Sequence, residues 1–177
     1  MVNHGCLGVF LAVGLVAGLL VPADVRAEEH VRCEGKATNR YEPGLRFTEP
    51  RDSQYLGRHD YTTCTFDDGT RQTATLYESA FLTEALCTVA PSPTTATIVW
   101  ADAEGSELSL NGVELDFDFD TLSQIFITAG FVTAGRYEGM RVRFVVILPL
   151  AEQLLACATP WGLTFQRGPA TLSIESP

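Results

Sequence analysis

Lysine is nearly absent from this sequence. Lys36 is the only one in 177 residues, and 12 basic side chains stand against 22 acidic ones for a net charge of −10. A chain so negative repels a phosphate backbone, which argues against a nucleic-acid partner. Long apolar runs are also lacking. The longest apolar run, Leu7 to Val21, is shorter than the ~18–20 residues a spanning helix needs. It reads instead as the apolar part of a secretory signal, ended by Pro22 and followed by the small residues Val25 and Ala27 of a cleavage site. The expected division is therefore a signal peptide over 1–27 and a single domain over 28–177, secreted and with no membrane attachment after cleavage. The n-region has no Lys or Arg, an unusual feature for such a signal.

Catalytic and metal-binding patterns are equally sparse. No C-x-x-C pair, no G-x-S-x-G elbow and only two histidines after residue 27, His30 and His59, are present. Neither a metal nor a cofactor is expected. His30 stands near the start of the mature chain, where fraying is the ordinary expectation. His59 and Asp60 are adjacent in a strand region, so their side chains point to opposite faces and cannot orient one another.

Four cysteines remain after residue 27: Cys33, Cys64, Cys87 and Cys157. An even count in an exported domain is the pattern of two disulfides. Three pairings are possible, and Cys33–Cys64 with Cys87–Cys157 is favoured because each closes within its own half of the chain. Threonine is abundant, with 19 in the 150 residues after position 27, and β-branched residues favour strands.

Alternation and turn signals divide the chain into nine or ten strands. Turns are expected at Pro43-Gly44, Asp67-Asp68-Gly69, Glu104-Gly105, Asn111-Gly112 and the corner Ala134 to Gly139. Ser79 to Cys87 leans to strand. The segment Ala90 to Thr95 is read as a crossing between two sheets. Pro149 should open the only helix, with Leu150, Leu154 and Ala158 on its apolar side, before a last strand over Ala170 to Ile174. This spacing argues for an all-β, antiparallel two-sheet β-sandwich with one short helix near the C-terminus.

Several motifs together resemble a known group. They are Cys33-x-Gly35, Tyr41 to Leu45, Trp100 followed by Gly105-Ser106, the corner Gly135-Arg136-Tyr137-x-Gly139, and Leu154 with Cys157 ahead of Gly162-Leu163 and Gly168-Pro169. The pattern resembles the small secreted, disulfide-bonded β-rich proteins of actinobacteria, a group with no assigned activity. The resemblance implies a compact disulfide-bonded β-sandwich and brings no catalytic residues with it.

Val113 to Asp120 reads V-E-L-D-F-D-F-D, with the apolar residues on one face and Glu114, Asp116, Asp118 and Asp120 on the other. The acidic face is read as a solvated ladder, because a straight strand cannot wrap a calcium ion. Trp161, in a Thr-Pro-Trp-Gly turn, and Tyr137, in its corner, are the candidate ligand-binding aromatics. Trp100 is expected in the core. Two functions follow: a non-enzymatic extracellular module binding a protein, glycan or small ligand, or a small glycosidase-like hydrolase. The second would use a carboxylate pair drawn from Glu107, Glu114, Glu138 and Glu152, or His59.

Overall fold

The computed structural model describes residues 28–88 and 92–177, and the expected signal segment 1–27 lies outside them. Eight strands follow one another: β1 (Glu29–Leu45), β2 (Arg51–Phe66), β3 (Arg71–Ala85), β4 (Thr95–Trp100), β5 (Gly105–Asp118), β6 (Ser123–Gly135), β7 (Arg141–Pro149) and β8 (Leu163–Glu175). One helix, α1 (Leu150–Cys157), interrupts them. Each strand pairs antiparallel with the next and β8 returns to β1, so the sheet is a closed barrel and not two packed sheets. The crossing expected at Ala90 to Thr95 lies partly outside the described residues, and the strands on either side of it, β3 and β4, are hydrogen-bonded neighbours in one sheet. Among the described residues no helix is long and apolar enough to cross a membrane.

The sandwich expectation fails for a physical reason. Several of the Gly and Pro signals that suggest turns lie inside long strands, where a curved wall needs bulges and bends. β1 runs through Pro43-Gly44 to Leu45, with the Glu42–Pro43 peptide bond cis. Asn111-Gly112 is a bulge in β5, where the register with β6 shifts between Leu110 and Val113. Gly168-Pro169 lies within β8. A Cβ on Gly168 would fall 1.8 Å from the Ile147 carbonyl oxygen, and one on Gly130 2.1 Å from that of Ser109, so bare backbone is required where neighbouring strands approach.

The interior carries two apolar clusters. Near the start of β1 and the end of β8, Trp100, Phe66, Leu76, Ile98, Leu172 and Ile174 fill the lumen, and Trp100 anchors them by donating from Nε1 to Ser106 Oγ at 2.9 Å. At the other end Tyr41, Leu45, Tyr55, Ala85 and Leu163 pack with Cys87 and Cys157. Disulfides join Cys33 to Cys64, directly opposite each other on β1 and β2, and Cys87 to Cys157. The second ties the segment after β3 to the end of α1, and Gln153 Nε2 donates to the Cys87 carbonyl at 3.1 Å. These bonds set the helix's rotation. Gln153 and Cys157 are its buried residues, whereas Leu154 and Leu155 are exposed, so the apolar stripe expected through Leu150 and Leu154 is not the buried one.

Candidate functional site: a polar belt in the lumen

Along four adjacent strands the lumen-facing residues change from apolar to polar and back. β1 passes from Ala37 through Asn39 to Tyr41, and β2 from Tyr61 through His59 and Gly57 to Tyr55. β3 passes from Leu76 through Glu78 to Ala80, and β8 from Ala170 through Gly168 and Gln166 to Leu163. The first residue of each series belongs to one apolar cluster and the last to, or against, the other. Register aligns the middle residues into a row. Gln166 faces Asn39, Asn39 faces Gly57, and Gly57 faces Glu78.

Gly57 is what lets this row close. A Cβ there would lie 2.5 Å from Glu78 Cγ and Oε1 and 2.6 Å from Tyr55 Oη. The carboxyl therefore occupies the space that a side chain on β2 would fill. Tyr55 Oη donates to Glu78 Oε1, and lies 3.3 Å from Asn39 Oδ1. A phenol has one proton, and a carboxylate is the stronger acceptor. The contact to Asn39 is best satisfied with the amide turned so that its NH₂ donates to the phenol oxygen. His59 Nε2 is 3.4 Å from Glu78 Oε1, near enough to pair charges but without hydrogen-bond alignment. Its Nδ1 meets Tyr61 Oη at 3.2 Å, and Tyr41 Oη donates to Gln166 Oε1 at 3.1 Å.

Burial, and after it the nearby Glu78 charge, pushes the Tyr41, Tyr55 and Tyr61 phenols well above their ordinary range. They are held as protonated donors. The belt nonetheless leaves polar atoms unmatched: among the described residues Glu78 Oε2, Gln166 Nε2 and His59 Nε2 have no hydrogen-bond partner. Such groups cost about 1–3 kcal/mol each when left dry, and more when charged. Glu78 borders an internal cavity of about 20 Å³, shared with Asn39, Tyr55 and Thr128 on its polar side and Val113, Phe126 and Phe144 on its apolar side. That volume suits about one water molecule. Among the described residues the wall is interrupted beside it. β4 pairs with β3 only as far as Glu78 opposite Ala96, and the buried Pro93 borders the cavity at this break.

The residues that sequence reasoning singled out do not assemble into a site. Trp161 is 81% exposed in the turn after α1. Tyr137 sits at the opposite end of the barrel, in the β6–β7 turn with φ 68°, packed on Trp100 and Phe66. Glu107, Glu114, Glu138 and Glu152 are all exposed, and Glu78 is the one buried carboxylate among the described residues. The acidic run is not a uniform ladder, because β5 ends at Asp118. There Asp118 Oδ1 accepts from the Asp120 and Thr121 amides at 2.9 and 3.2 Å, and hydrogen bonding from Thr121 holds its carboxyl below the usual range. His30 is not frayed either, since its ring meets Asp67 at 3.1 Å and Ser176 at 2.9 Å.

Glu78, Tyr55, Asn39 and Gln166 went unnoticed at the level of sequence. A signal was available in β2, where the alternate residues Ser53, Tyr55, Gly57, His59 and Tyr61 put hydroxyls and an imidazole on the buried face. Comparison of the chain with protein-family models, curated proteins and solved structures finds no match to any of them.

Proposed function

We propose that this chain is an extracellular, non-enzymatic binding barrel that takes a small ligand into its lumen at Glu78. The observation that carries this reading is a buried carboxyl with one unpartnered oxygen, beside a half-polar cavity at a break in the wall. The complementary ligand has an amine or hydroxyl to donate to Glu78 and an apolar flank for Phe126 and Phe144. Entry displaces the water-sized void and widens the lumen at Pro93. Export is supported by the leader-like residues 1–27 and by two disulfides, which persist in oxidising compartments.

The test is a thermal-shift screen of small amines, polyols and apolar alcohols on the purified protein and on Glu78→Gln. Stabilisation in the parent that is lost in the variant supports the reading. Equal shifts in both would place binding elsewhere.

A second reading, hydrolysis, draws on one observation: an imidazole and a carboxyl, His59 and Glu78, are buried side by side 3.4 Å apart. A glycosidase needs two carboxyls facing a cleft, and no second buried carboxylate exists among the described residues. Turnover of chromogenic esters or glycosides that disappears in both Glu78→Gln and His59→Gln would favour this reading over binding alone.

A further inference from the structure

On the outer face of the barrel, Thr38 lies at the centre of a cross of cations. Arg58 on β2 and Arg167 on β8 are its cross-strand partners, and Lys36 and Arg40 stand two residues to either side of it on β1. Strands are ~4.8 Å apart and alternate residues ~6.6–7 Å apart, so four positive charges surround one threonine on a single exposed face. A third of the chain's 12 basic residues thus collect on one patch of a protein whose net charge is −10.

One carboxylate shares the face: Asp60, opposite Lys36 on β2, which also lines the groove beside Arg40 and Arg58. Lys36, Arg40 and Arg167 form no ion pair among the described residues. Arg58 is held by Asp60 at 2.8 Å and lies over the Tyr77 ring, 5.7 Å from its centroid. The face is also hollow. A groove of about 650 Å³ runs beside Arg40, Arg58 and Tyr77, with the hydroxyls of Ser79, Thr95 and Thr97 along it. A second, of about 420 Å³, lies across β1 between Lys36 and Arg167.

We propose that this face binds a linear acidic polysaccharide, with its carboxylate or sulfate groups on the four cations and its rings along the hydroxyl-lined groove over Tyr77. Charge complementarity selects an anion, and paired hollows select a chain over a flat lipid surface. Nucleic acid fits less well, because the groove offers hydroxyls to sugar rings along its length but only one aromatic ring, Tyr77, on which a base could stack.

The experiment is titration calorimetry of the purified protein with heparin, polygalacturonate and neutral dextran, beside phosphatidylglycerol vesicles and a single-stranded oligonucleotide. Expected is binding to heparin or polygalacturonate but not dextran, weakening as salt rises. Binding should fall by about tenfold or more in the triple variant Lys36→Glu/Arg40→Glu/Arg167→Glu, since exposed pairs each contribute modestly. A charge-matched triple, Arg32→Glu/Arg71→Glu/Arg141→Glu, should retain it. If the first triple fails to fold, Lys36→Gln/Arg40→Gln/Arg167→Gln replaces it. Absence of binding to both acidic polysaccharides, binding to vesicles or oligonucleotide alone, or equal loss in both triples would overturn the proposal.

Discussion

Replacing Gly57 with alanine adds one methyl group to the lumen wall, and its effect can be worked out from the contacts it meets. In an ordinary strand the change would gain ~0.4–1 kcal/mol by restricting the unfolded chain. Here the new Cβ lies 2.5 Å from Glu78 Oε1 and 2.6 Å from Tyr55 Oη, so the carboxyl must leave its place. Overpacking a filled interior costs ~1–3 kcal/mol, and breaking the hydrogen bond between Tyr55 and Glu78 costs a further ~1.5–3 kcal/mol. The net expectation is a loss of about 2–5 kcal/mol, opposite in sign to the usual effect. Urea unfolding should show a lower midpoint with an unchanged slope. In a Glu78→Ala background the clash with the carboxyl disappears and the Tyr55 hydroxyl, freed of that partner, has room to move aside, so Gly57→Ala should cost less there than in the parent. A neutral or stabilising Gly57→Ala, or additive effects of the two changes, would refute the account of how the row closes.

Three further outcomes follow from the same packing. Trp100→Ala should lose ~3–5 kcal/mol, whereas Trp161→Ala, exposed in its turn, should stay within ~0.5 kcal/mol by thermal or urea unfolding; the reverse order would sink the core assignment. Removing the second disulfide with Cys87→Ala/Cys157→Ala opens a loop of 70 residues and should cost about 4 kcal/mol in the chain-entropy account, with faster amide exchange in α1; unchanged stability and exchange would contradict its role as the anchor of the helix. The Tyr41, Tyr55 and Tyr61 phenols are raised in the folded state, so their contribution is intact below the unfolded value near pH ~10 and is lost as pH rises beyond it. Ultraviolet titration should show these three of the five tyrosines ionising only together with unfolding; reversible ionisation of all five in the folded protein near that value would be the contrary result.

Strand character was legible in the sequence because it is local. Threonine content and alternation mark strand on both sides of Asp67-Asp68-Gly69, which does form the turn between β2 and β3, and Ser79 to Ala85 proves to be the continuation of β3. Closure was not legible. A sandwich and a barrel share the same alternation, and they differ here in whether Val31 pairs with Ile174 at the far end of the chain. Asn111-Gly112 misleads for a related reason: the φ of 102° at Gly112 suits a bulge as well as a hairpin turn. The lumen site was hidden because its parts lie on four strands and meet through register. Reading His59 against its neighbour Asp60 looks across the sheet to the wrong face, whereas its actual surroundings are Tyr61 two residues on and Glu78 on the next strand. The α1 stripe fails because an eight-residue helix is turned by Cys157 and Gln153, not by its leucines.

The central claim, that the lumen beside Glu78 is the binding site, is tested most directly by amide NMR of the labelled protein titrated with the strongest ligand from the thermal screen. The account predicts chemical-shift changes concentrated at Asn39, Gly57, Glu78 and Thr128, abolished in Glu78→Gln. Changes centred on Trp161 and the turn after α1, with the amides around Glu78 unmoved, would contradict it.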